Sequence, residues 1–407
     1  MTGPLIEPLV LPADADQAVS WQVQAVAEIE RDYMLQILGS DDLAQTGEQI
    51  NTSLALQQHT RKEVLLAHDP QRGEHPAAVV GIARLTMPLS DNTHIAMLEI
   101  TVRPEHRRRG IGNALWQAAE ERIRAAGRTH VLVDTSHPGH FPSGAAAPAQ
   151  AAGRAGAVAP GEPVDSPQAA TTAQPAQSSE QVQAPGAVVA SHGGPNGDTG
   201  HPGATFAMAR GFVLAQVERH SVQPLPIDPK TVATLRADAA AVAGEDYELI
   251  SWTGPVPRER LGQIVTLRQA MSTDIPLGDM DLHAEAWDGE RVRREEQVRA
   301  RWGRQSLTAA VCHVPSGDLA GYTEIHLEES RPQVAYQENT VVLRRHRGHR
   351  LGMLLKAANL TRLQAQAPAV RRVHTWNADE NEHMLAINTA LGYRHTSTWA
   401  NWQLTLN

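Results

Sequence analysis

One pattern occurs twice in this chain of 407 residues, and it limits what the chain can fold into more than any other feature. Between Met97 and Gly127 a β-branched run ends at Val102, a short basic turn follows, and an amphipathic helix starts near Ile111. Its positions Ile111, Ala114, Leu115, Ala118, Ala119 and Ile123 keep the 3.6-residue period, interrupted only by Arg122, and Gly127 supplies the C-terminal stop. Asn339 to Leu363 repeats the order: strand to Val342, basic turn, helix from Leu351. In both copies the valine stands five residues before the first arginine of the turn, Val102 before Arg107 and Val342 before Arg347. A further strand follows each helix, Thr129 to Asp134 and Arg372 to Trp376.

The second copy continues with a helix, Glu382 to Leu391, a Gly392-Tyr393 pair and a last strand near Ser397 to Leu406. The first copy has the same ending, displaced: Ala204 to Arg210 closes a helix, Gly211-Phe212 follows, and Val213 to Val222 is a strand. From Gly112 to Phe212 is 100 residues but from Gly352 to Tyr393 only 41, and the excess of 59 nearly matches an Ala/Gly/Pro/Ser/Gln/Thr stretch, Pro142 to Gly203. That stretch holds no Leu, Ile, Met, Phe, Trp or Tyr, so it lacks the apolar area to offset its ordering entropy. It is expected to be a disordered insertion inside the first unit and not the linker between units. The expected organisation is a first domain at 1–228, a connector at 229–245 and a second domain at 246–407. Upstream of each motif, Gln17 to Leu38 and Arg258 to Met271 are predicted helices. Lys62 to Ala67 with Ala77 to Pro88, and Ser306 to Val314 with Asp318 to Glu328, are predicted strand pairs.

The turn Arg107-Arg108-Arg109-Gly110-Ile111-Gly112 has the form R-x-x-G-x-G at the start of a helix. Free amides there carry partial positive charge and suit a pyrophosphate; glycine lets the backbone come close, and arginine adds charge-assisted contacts. Neither turn is a Walker loop, since no lysine follows a glycine, and neither is a G-x-G-x-x-G fingerprint. His346 and His349 lie in the second turn, where they are read as phosphate neighbours or solvated residues, and no metal is expected.

With Val102-Arg103-Pro104 marking the strand exit, and the motif present twice, the chain resembles the GNAT superfamily of N-acetyltransferases over nearly all its length outside the insertion. The tandem arrangement looks like that of mycothiol synthase and related two-domain actinobacterial enzymes. The implied fold is a mixed α/β sheet in two tandem copies. The resemblance implies that Ile100, Thr101 and Val102 pair with the pantetheine arm of acetyl-CoA, and that Arg107, Arg108, Arg109, Gly110, Ile111 and Gly112 bind its pyrophosphate. In the second copy the matching positions are Thr340, Val341 and Val342, then Arg347, Gly348, His349, Arg350, Leu351 and Gly352. Here Arg350 stands where the usual glycine does, with Gly348 left to give the turn its flexibility. Asn377 and Asn381 follow the fifth strand, where family members hold the cofactor arm.

Attack of an amine on a thioester needs a neutral amine, a donor for the developing oxyanion and a proton source for the leaving thiolate. Family members often use a carboxylate on the fourth strand and a tyrosine four residues before the final Gly-aromatic pair. This chain has Asn388 and Ala207 at the tyrosine position, and Tyr336 and Ala96 at the usual base position. Glu338 is expected as base, directly or through water, with Tyr336 as substrate contact or proton donor; a solvated strand residue is the competing reading of Glu338. Glu324, His326 and Glu328 share one face of the preceding strand, and Glu99 is the weaker counterpart in the first copy.

Net charge −9 and pI about 6.1 argue against affinity for nucleic acid or anionic membrane. The lone cysteine, Cys312, permits no intrachain disulfide and fits the core, and no signal-like or membrane-spanning run is present, so a cytoplasmic protein is expected. The expected activity is acetyl transfer from acetyl-CoA to a small-molecule amine by direct attack, with the second domain catalytic. Two alternatives stay open: an acyl-CoA-binding scaffold without activity, and a protein or peptide N-acetyltransferase.

Overall fold

A computed structural model describes residues 4–139 and 201–407. The expected disordered insertion therefore lies, as far as residue 200, outside the described residues. The first half runs β1 (Leu5–Pro8), α1 (Trp21–Leu38), α2 (Gly47–Ala55), β2 (Thr60–His68), β3 (Val79–Pro88), β4 (Ile95–Val102), α3 (Ile111–Ala125), β5 (His130–Pro138), α4 (Pro202–Met208) and β6 (Val213–Pro224). The second runs α5 (Pro229–Ala243), β7 (Tyr247–Thr253), α6 (Leu261–Asp274), α7 (Gly289–Arg301), β8 (Arg304–His313), β9 (Asp318–Glu328), β10 (Val334–Val342), α8 (Leu351–Gln366), β11 (Arg372–Ala378), α9 (Glu382–Ala390) and β12 (Arg394–Thr405).

The twelve strands of the described residues form one mixed sheet in the order β1-β2-β3-β4-β5-β12-β6-β11-β10-β9-β8-β7. The two halves have exchanged their last strands. β12 lies against β5 of the first half from Ser397↔Pro138 to Thr405↔His130, and β6 lies against β11 of the second from Arg372↔Pro224 to Ala378↔Glu218. The cores follow the exchange. Ala400, Trp402 and Leu406 from the C-terminus complete the core of the first half under α3, while Leu225 and residues of α5 complete that of the second under α8. Each half thus gains a pairing partner for an edge that would otherwise stay open.

The stretch read as a connector, 229–245, is the helix α5. Asp228 accepts hydrogen bonds from the Lys230 and Thr231 amides, and Pro229 sits in the first turn, where its missing N–H costs nothing. Val232, Ala239 and Ala243 then pack into the second core. Helix α2 was also not foreseen; Thr46 and Gln49 start it as a reciprocal capping box.

Among the described residues every strand pair is antiparallel except β4–β5 and β10–β11. These parallel pairs are three residues long, ending at Met97↔Leu132 and at Tyr336↔His374, after which the strands separate. Two V-shaped openings result, one in each half, between β4 and β5 and between β10 and β11.

Candidate active site

The two turns share a backbone that the sequence disguises. Each has two residues in the left-handed region at matching places: Arg108 (φ 61°) and Gly110 (φ 83°) in the first, Gly348 (φ 87°) and Arg350 (φ 52°) in the second. Glycine and arginine have traded positions while the conformation is kept. The first arginine of each motif braces the turn. Arg107 Nε donates to the Val102 carbonyl at 2.9 Å and its Nη2 to Gln36 at 2.9 Å; Arg347 Nε donates to the Val342 carbonyl at 3.2 Å and its Nη2 to Asp274 at 2.8 Å. Arg108, Arg109 and Arg350 are exposed and form no ion pair among the described residues.

Helices α1, α2, α5, α7 and α9 are capped by Ser20, Thr46, Asp228, Asp288 and Asn381, and α6 starts uncapped as the continuation of a 3-10 turn at Arg258–Arg260; α3 and α8 both begin without a side-chain cap. Their first intrahelical amides to be satisfied are Ala114 and Leu354, so the three before each are available to an anion. The two starts differ in cover. Gly112 is half-buried and Asn113 exposed, but Leu351 to Leu354 are all buried, and a Cβ on Gly352 would meet the Ile387 side chain at 3.2 Å. Ile100, Thr101 and Val102 pair with β3 on one side only, and Val341 and Val342 likewise pair only with β9, so the opposite backbone edge faces the opening. Of the histidines in the second turn, His346 is buried under it, 3.0 Å from the Tyr247 hydroxyl, and His349 is exposed.

The two openings meet in one chamber of about 570 Å³, lined from both halves. Glu338 and Thr340 reach it from β10, Asn377 from the end of β11 and Asn381 from just beyond it. Strand β10 has a bulge between Gln337 and Thr340, which breaks the simple alternation linking Tyr336 to Glu338. The Glu338 side chain is 5% exposed, with Oε1 3.3 Å from His326 Nδ1. His326 Nε2 is 3.2 Å from Glu324 Oε1, and Glu324 is bracketed by Arg268 and Arg299 at 3.2 Å each. Burial pushes the Glu324 carboxyl up, but Arg299, His326 and Arg268 outweigh it and hold it well below the usual range. Tyr336 is not free to donate a proton: its hydroxyl already donates to the Asp42 carbonyl at 2.6 Å, and burial pushes its ionisation upward. Asn377 accepts from Asn388 at 2.6 Å, and Asn381 caps α9, so both side chains are engaged at the chamber wall.

Sequence reasoning named Glu99 but missed the chamber groups around it. Glu99, Asp134 and Glu218 meet in the first half's opening, and burial raises all three carboxyls, Asp134 furthest, with Glu99 and Glu218 adding repulsion there. Lys356, on the sheet-facing side of α8, is fully buried, and burial alone brings its pKa down to about 7. The signal for Glu218 was the polar alternation Gln216, Glu218, His220 along β6, which only the exchanged strand order turns toward a site.

Residues 25–143 match the acetyltransferase (GNAT) family. Over 88 residues the chain is 41% identical to mycothiol acetyltransferases of Mycobacterium avium (strain 104) and Mycolicibacterium paratuberculosis, a stretch that is 22% of this chain and 26% of theirs. Among solved structures, a tandem GNAT protein from the clavulanic acid biosynthesis pathway superposes with TM-score 0.66 at 25% identity, covering 98% of both chains. A GCN5-related N-acetyltransferase from Sphaerobacter thermophilus gives TM-score 0.51 at 14% identity, covering 98% of this chain and 95% of that one. Among the described residues no helix is long and apolar enough to cross a membrane.

Proposed function

We propose that this member of the GNAT superfamily, tandem in form, is an acetyl-CoA-dependent N-acetyltransferase that transfers the acetyl group to an amine of a small molecule inside the shared chamber. The observation that carries the reading is the pair of uncapped helix starts, each behind an exposed basic turn and beside separated parallel strands. Those features fit coenzyme A. Arg108, Arg109 and the amides at Gly110 to Gly112 would hold the pyrophosphate, with His349, Arg350 and the amides at Leu351 and Gly352 as counterparts. The open edges at Ile100 to Val102 and Thr340 to Val342 would hold the pantetheine arm. Arg107, Arg347 and Gly348 shape the turns. When bound, acetyl-CoA supplies a thioester whose carbonyl carbon accepts the amine and whose thiolate leaves.

The second half is the better catalytic unit. Glu338 takes the acceptor's ammonium proton on a carboxylate oxygen, directly or through water, and His326 stays within reach of that carboxylate. The bulge on β10 presents irregular backbone beside Thr340, where a polarised carbonyl can be met. In the first half Glu99, Asp134 and Glu218 hold their protons more tightly than ordinary carboxyls, which suits them to hydrogen-bonding an acceptor and not to acting as bases. The proposed units remain 1–228 and 246–407, joined through 229–245 and by the exchanged strands; the proposed setting is cytoplasmic, with neither nucleic acid nor membrane as partner.

A second reading, an acyl-CoA binder without turnover, draws on the engagement of Tyr336 and on Asn388 at the usual tyrosine position. Calorimetric titration with acetyl-CoA beside a thiol-release assay on a panel of small amines separates the two. Saturable binding with turnover on at least one amine is expected. Binding without turnover on any amine supports the second reading, and no binding overturns both.

A further inference from the structure

Outside the chamber's acid–base groups, three ligand-type side chains converge on one point of the seam between the halves. His94 precedes β4 and His130 opens β5. The parallel pairing of those strands sets them side by side, and the Thr129 and His130 amides both donate to the His94 carbonyl, at 2.9 and 3.0 Å. Asp281 comes from the other half, on the irregular segment between α6 and α7. Its Oδ2 lies 3.3 Å from His130 Nε2 and 3.5 Å from His94 Nε2. We propose that His94, His130 and Asp281 bind a divalent transition-metal cation of the zinc class, which fastens this segment of the second half to the first.

The donor set and spacing both fit. Two imidazoles and a carboxylate are ligands suited to such a cation. Tetrahedral donors about 2.0–2.1 Å from a metal lie ~3.3 Å from one another, close to the two separations observed. All three ligand atoms fall within 4.8 Å of each other. His130 Nδ1 is 3.0 Å from the Thr129 hydroxyl, an outer contact that fixes the ring and leaves Nε2 facing Asp281. His94 Nε2 also lies 2.9 Å from the Asp281 backbone carbonyl, a contact the cation would replace. His283 stands beside the three: it stacks on His94 with centroids 4.5 Å apart and brings Nε2 within 3.3 Å of the other Asp281 oxygen. Asp281 is 42% exposed, which gives the cation a way in.

The framework is set without metal. The Asp281 amide donates to Gln403 on β12 at 2.7 Å, and Asn92 exchanges two hydrogen bonds with the backbone of His283, at 2.6 and 3.2 Å. The same segment supplies Met280 and Leu282 to the chamber wall, so a cation here would stiffen that wall without touching the reacting groups.

The test uses the whole chain, stripped with a chelator and titrated with Co²⁺ and with Zn²⁺. One equivalent of Co²⁺ with the visible spectrum of a nitrogen/oxygen site is expected, together with a Zn²⁺-dependent rise in melting temperature. H94A/H130A should lose both, and D281N, which keeps the side-chain volume, should weaken binding; metal-free melting of each variant shows whether it folds. Should H94A/H130A misfold, D281N alone decides. Absence of a stoichiometric cobalt spectrum in the native chain, or binding unchanged in D281N, overturns the proposal.

Discussion

Asp42 and Arg372 lie 330 residues apart and close an ion pair across the seam between the halves, each carboxylate oxygen accepting one guanidinium N–H. His374 Nε2 stands 3.1 Å from the same carboxylate, and the contacts continue through His220 (2.9 Å from His374) to the Ser397 hydroxyl (2.8 Å from His220). Elements of both halves, α1's exit, β11, β6 and β12, are thus joined by one buried polar chain.

Burial raises the Asp42 carboxyl, but Arg372 and His374 outweigh it and hold it well below its ordinary 3.8. D42N should destabilise the chain by about 2–3 kcal/mol at pH 7, below the ~3–5 kcal/mol for breaking a fully buried pair, because the Arg372 side chain is 33% exposed. A carboxyl whose pKa falls on folding stabilises above its unfolded pKa, and that contribution disappears as pH drops through the folded value. Urea unfolding of wild type and D42N should therefore differ at pH 7 and converge as pH falls below about 3.8. A gap that is unchanged at low pH would show that the pair is not its source.

In the turns, Arg108 and Arg350 occupy a left-handed conformation that costs a non-glycine residue roughly 1 kcal/mol. R350G should relieve that strain, with part of the gain lost to the looser unfolded chain, for a net rise of about 0.5 kcal/mol in unfolding free energy. It should at the same time weaken acetyl-CoA binding at the second turn. A stability loss without an affinity change would mean that the Arg350 side chain packs against the protein and does not meet the cofactor.

The motif made the strand–turn–helix units legible, because a β-branched run ending at Val102 or Val342 and an apolar period from Ile111 or Leu351 are local signals. Predicted β9 matched its bounds, Asp318 to Glu328, and the helix ending at Leu38 matched its end. Strand exchange was not legible. β6 and β12 have similar lengths and patterns, and nothing local tells either which half to join; the choice depends on burying Trp402 with one core and Leu225 with the other. For the same reason the chamber's acids were missed: Asp134 and Glu218 come together only because β12 stands between β5 and β6. Tyr336 illustrates the converse. Its position suggested chemistry, and only the fold shows Asp42 across the seam taking its hydroxyl.

Lys356 should make stability depend on pH in the alkaline range. Burial lowers its pKa from 10.5 to about 7, so between those values the unfolded chain holds a proton that the folded chain does not. Wild-type stability should then rise with pH across that window, and K356M should abolish the rise. At pH 6, where the folded lysine is charged and buried, K356M should be the more stable by several kcal/mol, one pKa unit being about 1.4 kcal/mol. Chemical unfolding at pH 6 and pH 10 measures the difference. Parallel curves for the two proteins would indicate that the lysine remains solvated.

Binding and chemistry can be assigned to separate halves by three substitutions. G112E places a carboxylate at the open start of α3, where it would occupy and repel the phosphate site. It should remove cofactor binding by the first half and leave that of the second. G352E attacks the equivalent place in α8, but Gly352 is packed against Ile387, so its melting temperature must be read beside its affinity. E338Q keeps the shape of the side chain and removes its basicity; kcat should fall roughly 100-fold or more, with the acetyl-CoA dissociation constant nearly unchanged. If both sites are competent, calorimetric stoichiometry should fall from two to one in each glycine variant, and turnover should follow Gly352 and Glu338, not Gly112. Turnover lost in G112E and kept in E338Q would move the reaction to the first half. The acceptor would then lie beside Glu99 and Asp134, whose tightly held protons would serve the leaving thiolate and not the incoming amine.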